Sequence, residues 1–258
     1  MCAAAAAILL VLLPCAAPAA DVTAEQLARQ VGQVFAGYNQ FWVWLVQRFT
    51  DPDGKTREFE GRVFFKRDKK FRLNFGQPPF LVHGTDGDIY WVYDEAEATI
   101  EWSDLNEEAP IHPIFQVFAA ADQMVKALDR FFNVESLLET AFEYRDAENK
   151  SQSIPAYKLV LSLKQERLKE LVEKDGNQLI DKNAKQVWTF WVDRAKHMPL
   201  RIQVDWETGG RYVFDLGQRL LKGYDNQPGK FFSPPSLDDR LFDMPQPPGV
   251  KRVKRKGG

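Results

Sequence analysis

Cysteine is nearly missing from this chain: among 258 residues only Cys2 and Cys15 occur, both inside an apolar N-terminal run. Everything beyond residue 15 is therefore without disulfide staples and without thiol chemistry, and must hold itself by packing. Charge of one sign is lacking too. Lys and Arg number 34 against 36 Asp and Glu, a formal net charge of −2, so no overall basic field draws in nucleic acid. Histidine is scarce, and His83, His112 and His197 lack the spacing of a helical zinc pair. They read as ordinary surface or packing residues. No G-x-S-x-G elbow, P-loop or G-x-G-x-x-G is present, which removes the local signatures of α/β hydrolases and nucleotide binders. The acidic group Asp86, Asp88, Asp94, Glu95 and Glu97 lies in a glycine-containing turn context that favours solvated hairpin ends over a paired acid and base. No enzyme activity and no cofactor are expected.

What is present is apolar surface. Aromatic residues make up 13% of the chain, including 19 Phe and 7 Trp, more than a polar catalytic domain requires. At the N-terminus, AAAAAILLVLLPCAAPAA ends in small residues with Ala17-Pro18-Ala19 in the A-x-A pattern. The apolar core of this run is shorter than the roughly 20 residues of a spanning helix, and no second run follows. The expectation is a signal peptide over 1–20, cleaved near Ala19 or Ala20, with export to the periplasm. Leu13-Pro14-Cys15 leaves lipidation of Cys15 as an alternative, against which Pro14 stands where a small residue belongs.

Beyond the signal, Thr23-Ala24-Glu25-Gln26 has capping-box spacing, and Leu27, Val31, Val34 and Phe35 repeat at helical intervals. From Phe41 to Trp102 the pattern becomes strands broken by Asp51-Pro52-Asp53-Gly54 and Asp86-Gly87-Asp88, an antiparallel meander. Residues 111–132 read as a helix, with Ile114, Phe118, Ala121, Val125, Leu128 and Phe132 on one stripe. Strands resume at 142–144 and 157–163. A charged stretch over 164–186 reads as a short exposed helix and a polar loop. Strands at 187–192, 200–206 and 211–216 follow, the last two joined by Glu207-Thr208-Gly209-Gly210. The Pro-rich end finishes in a basic run, which either touches anionic lipid or is simply solvated. This gives one domain over 21–250, with 147–185 as a candidate insertion and 251–258 as a basic tail.

Period-2 alternation puts Phe59, Gly61, Val63, Phe65 and Arg67 on one strand face, and Glu58, Glu60, Arg62, Phe64 and Lys66 on the other. Arg67 thus shares the apolar side. It either reaches out to water from a strand end or is buried, in which case backbone carbonyls of a covering segment would have to accept its hydrogen bonds. Apolar residues on both faces of the strands mean that both are covered. The aromatics make either a plain core or the lining of a concave, ligand-accepting sheet.

The run Gly61-Arg62-Val63-Phe64-Phe65-Lys66-Arg67, then Phe71-Arg72-Leu73-Asn74-Phe75, Gln77-Pro78-Pro79 and Asp86-Gly87-Asp88-Ile89-Tyr90-Trp91-Val92-Tyr93-Asp94, resembles the LolA family of periplasmic lipoprotein carriers in order and spacing. Pro113-Ile114-Phe115 is similar to the family's lid helix, and the Pro-Pro-Gly-Val ending at Val250 to its last strand. The resemblance implies an α+β fold: a strongly curved antiparallel sheet, an open half β-barrel, covered by a helical lid. It implies a lining drawn from Trp44, Val63, Phe65, Arg67, Phe71, Leu73, Trp91, Ile114 and Phe118. Arg67 matches the arginine that holds the lid shut, and Phe71 the phenylalanine involved in cargo transfer. The implied partners are acylated lipoproteins or lipids, an inner-membrane release complex and an outer-membrane acceptor, with the carrier a monomer that binds no nucleic acid. The alternative is an envelope sensor or interaction domain of the same fold that binds a protein partner. Asp68 departs from the family's proline after the arginine, leaving open a carboxylate that pairs with Arg67.

Overall fold

The computed structural model describes residues 22–105, 114, 124–166, 185–219 and 226–255. Twelve strands form one open sheet: β1 (Gln40–Thr50), β2 (Thr56–Lys66), β3 (Lys70–Phe75), β4 (Leu81–Thr85), β5 (Ile89–Asp94), β6 (Thr99–Asp104), β7 (Phe132–Arg145), β8 (Ser151–Leu163), β9 (Gln186–Asp193), β10 (Pro199–Trp206), β11 (Arg211–Leu216) and β12 (Lys251–Lys254). Among the described residues two α-helices can be followed beside them, α1 (Ala24–Ala36) and α2 (Met124–Phe131). The spatial order is β12-β6-β5-β4-β3-β2-β1-β11-β10-β9-β8-β7. Two antiparallel meanders, β1 to β6 and β7 to β11, therefore meet at β1 and β11, where Leu45 faces Leu216.

That order dictates a crossing. β6 and β7 are consecutive in the chain but ten strand spacings apart, about 48 Å across a flat sheet. Sheets of this many strands rarely stay flat, and the open, strand-rich architecture is consistent with a curved sheet. The crossing segment carries α2, which touches both α1 and β7. Ile114, the one residue described between 106 and 123, is helical and fully buried in the main core.

α1 forms as its sequence dictates: the Thr23 hydroxyl accepts from the Gln26 amide at 3.1 Å, the Gln26 side chain accepts from the Thr23 amide at 2.8 Å, and Leu27, Val31 and Phe35 are buried. These three pack on the face that carries Val43, Val63, Phe71 and Leu73, and the same cluster extends to Leu159, Leu161, Trp188 and Ile202 in the other meander. The opposite face has its own cover, with Met244 and Val250 lying against Val82, Trp91 and Ile100.

Two expectations about elements change, and a third segment takes a definite form. The helix expected to 132 stops one residue earlier, because Phe132 starts β7 opposite Leu163, its ring edge-on to Trp188. Phe118 and Ala121 of that expected stripe, and the signal peptide, lie outside the described residues. Residues 151–163, inside the candidate insertion, form β8, paired on one side with β7 and on the other with β9. The basic end does not begin as a solvated tail: β12 adds to β6 in parallel, and Lys254 and Arg255 pair there with Asp104 and Glu101. A charged, four-residue strand suits the edge of a sheet.

Candidate functional site

The apolar face under α1 starts with an aromatic group at the helix's C-terminal end. Phe41 stacks on Phe65 with centroids 5.1 Å apart, and Phe35, Tyr38 and Phe231 close around Phe41 at 5.1–5.9 Å. Arg67 sits at its rim. α1 has no basic residue in its last turn, so its carbonyl end is electrostatically uncovered from within the helix. Arg67 supplies the cation from the end of β2, donating through Nη2 to the Ala36 carbonyl and through Nε to the Tyr38 carbonyl at 3.4 Å, while its amide donates to Asn39 at 2.9 Å. The side chain is exposed, so Arg67 reaches water from the strand end and is not a buried guanidinium, although it does bond backbone carbonyls of a covering segment. That segment is α1.

The Asp68 departure has a backbone reason. Asp68 and Lys69 turn β2 into β3 with φ of 69° and 61°, a region closed to proline, whose ring fixes φ near −65°. Among the described residues no ion pair joins Asp68 to Arg67.

The sheet sorts the other expected lining residues onto two faces. Val63, Phe71, Leu73 and Ile114 are fully buried in the core beneath the helices, and Phe65 is half-buried beside them. Trp44 and Trp91 are on the reverse face. Trp91 lies across from Gly84, where a Cβ would meet its ring at 2.2 Å, and Trp44 stands opposite Arg62. Phe118 lies outside the described residues. Around the buried core, further large side chains on the helix-covered face are only partly covered: Phe59, Phe190, Trp206 and Tyr212.

The reverse face holds polar features with no local sequence signal. Asp215 is fully buried and accepts from both Arg48 Nη1 and Arg201 Nε. The Arg219 guanidinium is almost completely buried, bonded to Glu60 at 3.0 Å and 3.8 Å over the Trp44 ring. Arg62 lies 4.1 Å over the same ring and 5.1 Å over Trp42, and burial, followed by the like charge of Arg219, depresses its pKa. Alternation alone puts Glu60 and Arg62 on this face. The Arg219 partner comes from 159 residues away and could only be seen in the fold.

No family model matches the chain, and no curated protein matches it. Among solved structures it is similar to an uncharacterized conserved protein from Thermus thermophilus, at 13% identity and a TM-score of 0.47, covering 90% of this chain and 99% of that one. It is similar also to a LolA superfamily protein from Nitrosomonas europaea, at 13% identity, TM-score 0.39, 86% and 98% coverage. LprF from Mycobacterium bovis overlaps at 8% identity, TM-score 0.41, 74% and 90% coverage.

Proposed function

We propose that the protein is an exported, non-enzymatic carrier that takes acyl chains of lipoproteins or lipids onto the helix-covered face of its sheet and hands them on toward the outer membrane. The observation that supports this is the incomplete cover of that face: Phe59, Phe65, Phe190, Trp206 and Tyr212 adjoin a sealed core yet stay partly open. Each acyl CH₂ buried there contributes about 0.8 kcal/mol. α1 and α2 act as a helical lid, with Arg67 as the tie between α1 and β2. Lid closure and cargo compete for the same apolar surface, which limits affinity enough for release. Among the described residues no helix is long and apolar enough to cross a membrane.

The test places a photo-crosslinking residue at Phe190, on the helix-covered face, and in a second variant at Lys158, whose ammonium lies over Trp191 on the reverse face. Each is irradiated with a synthetic diacylated lipopeptide. Adducts at 190 and none at 158 are expected. Equal labelling at both positions, or none at either, would remove the carrier reading, and adducts in cells to a non-acylated protein would favour the sensor alternative.

A further inference from the structure

Trp44, Arg62 and Asn74 are cross-strand partners on β1, β2 and β3, on the face turned away from the helices. With the 76–80 turn they wall an open hollow of about 610 Å³, a size usual for small-molecule sites. The charges around it are unevenly matched. Glu58 is held by Arg48 and Glu60 by Arg219, so both carboxylates that line the hollow already have cations. Arg62 has neither an ion pair nor a hydrogen bond among the described residues. It is held by aromatic faces, and its buried Nε has no acceptor. The Asn74 Oδ1 accepts from Arg72 Nε at 2.8 Å, which fixes the amide and leaves its NH₂ group as a second donor. The polar side of the hollow therefore offers the Arg62 and Asn74 donors, and each of its two carboxylates is already paired with a guanidinium. The other side is apolar, formed by Pro79 and Phe80, and Phe80 is 41% exposed.

We propose that this hollow is a second binding site, separate from the helix-covered face, for an amphipathic carboxylate: the carboxylate on Arg62 and the Asn74 amide, the aliphatic chain against Pro79 and Phe80. A single negative charge fits better than a dianionic phosphate, because Glu58 and Glu60 line the same space and two guanidiniums already compensate them. Trp42 and Trp44 hold the Arg62 plane by cation–π contact, so little side-chain freedom is lost when the carboxylate arrives.

Calorimetric titration of the full chain tests this, using decanoate below its micelle concentration, with decanol and acetate as controls. Decanoate should saturate one site about tenfold more tightly than decanol, and acetate should not register. Arg62→Gln should lose about tenfold for decanoate and leave decanol unchanged, the size expected for one charge-assisted hydrogen-bonded contact. Phe80→Ser should weaken decanoate and decanol together. Should Arg62→Gln fail to fold, Asn74→Ala carries the polar half of the test, with a smaller loss confined to decanoate. Decanoate binding no tighter than decanol, or undiminished in a folded Arg62→Gln variant, overturns the proposal. Crosslinking at position 190 is independent of either result.

Discussion

Arg67 donates to the Ala36 carbonyl oxygen, tying the end of β2 to the last turn of α1 across 31 residues of sequence. The bond joins α1 to the strand whose face it covers, and it does so at the helix end that lacks a cation of its own. Arg67→Ala should lower stability by about 1 kcal/mol, since the side chain is exposed and water can take its place. Proteolysis should change more than the unfolding midpoint, with faster cleavage between residues 36 and 40. A cleavage rate equal to that of the native chain would mean that the arginine holds nothing. Arg67→Lys should recover part of the protection, because a lysine keeps the charge but loses the fork.

Asp215 carries a heavier share of the fold. Its carboxylate is fully buried between Arg48 and Arg201, and Arg48 also reaches Glu58. Asp215→Ala should cost about 3–5 kcal/mol, because it leaves two guanidiniums facing each other without an anion. Denaturant unfolding measures it directly. Arg201→Met should cost less, since Asp215 would keep Arg48. If the two variants lose equal stability, the carboxylate is not the centre of this group.

Much of this architecture was readable in the residues, and the limits have physical causes. α1 announced itself through a capping box and a stripe of Leu27, Val31 and Phe35, both local signals. The meander of β1 to β6 and the hairpin of β10 and β11 followed from alternation and turn residues. β7 was read only in part, because 14 residues with mostly exposed or half-exposed side chains give no clean alternation. Alternation also separates Trp44 from Val43 and Val63, yet the resemblance grouped Trp44 and Trp91 with the lining, and the sheet sets them on the reverse face. Phe71 illustrates the remaining gap: a motif match pointed to cargo, whereas full burial in the core makes Phe71→Glu a test of folding. Pairings such as Asp215 with Arg48, 167 positions apart, have no signature short of the fold itself.

Gly84 and Trp91 make a prediction of backbone approach. They are directly opposed on β4 and β5, and the indole occupies the space where a side chain at 84 would begin, 2.2 Å from an ideal Cβ. Trp91 is fully buried and packs with Val82 and Ile100 under the C-terminal segment, so it has nowhere to withdraw. Gly84→Ala should destabilise by about 1–3 kcal/mol through overpacking. The unfolding midpoint and near-ultraviolet circular dichroism would both move. A variant as stable as the native chain would show that the reverse-face cluster can yield.

His83 sets a pH dependence with a definite sign. Its Nδ1 lies 2.7 Å from the Tyr90 hydroxyl, and burial, followed by the positive charge of Arg255, lowers its pKa from 6.5 to about 3. Between those two values the unfolded chain binds a proton at this position and the folded chain does not, so stability rises with pH across the window and is lost as pH falls through it. The slope is at most about 1.4 kcal/mol per pH unit. Carboxylate titration adds to acid unfolding in the same range, so the comparison that isolates the histidine is the native chain against His83→Gln. The variant should be the less stable of the two at pH 7.5, where the neutral imidazole keeps its bond to Tyr90, and the gap should narrow or reverse at pH 4.5. Parallel stability curves over that interval would show that His83 takes up its proton in the folded chain as readily as in the unfolded one, and that the Tyr90 contact does not hold it neutral.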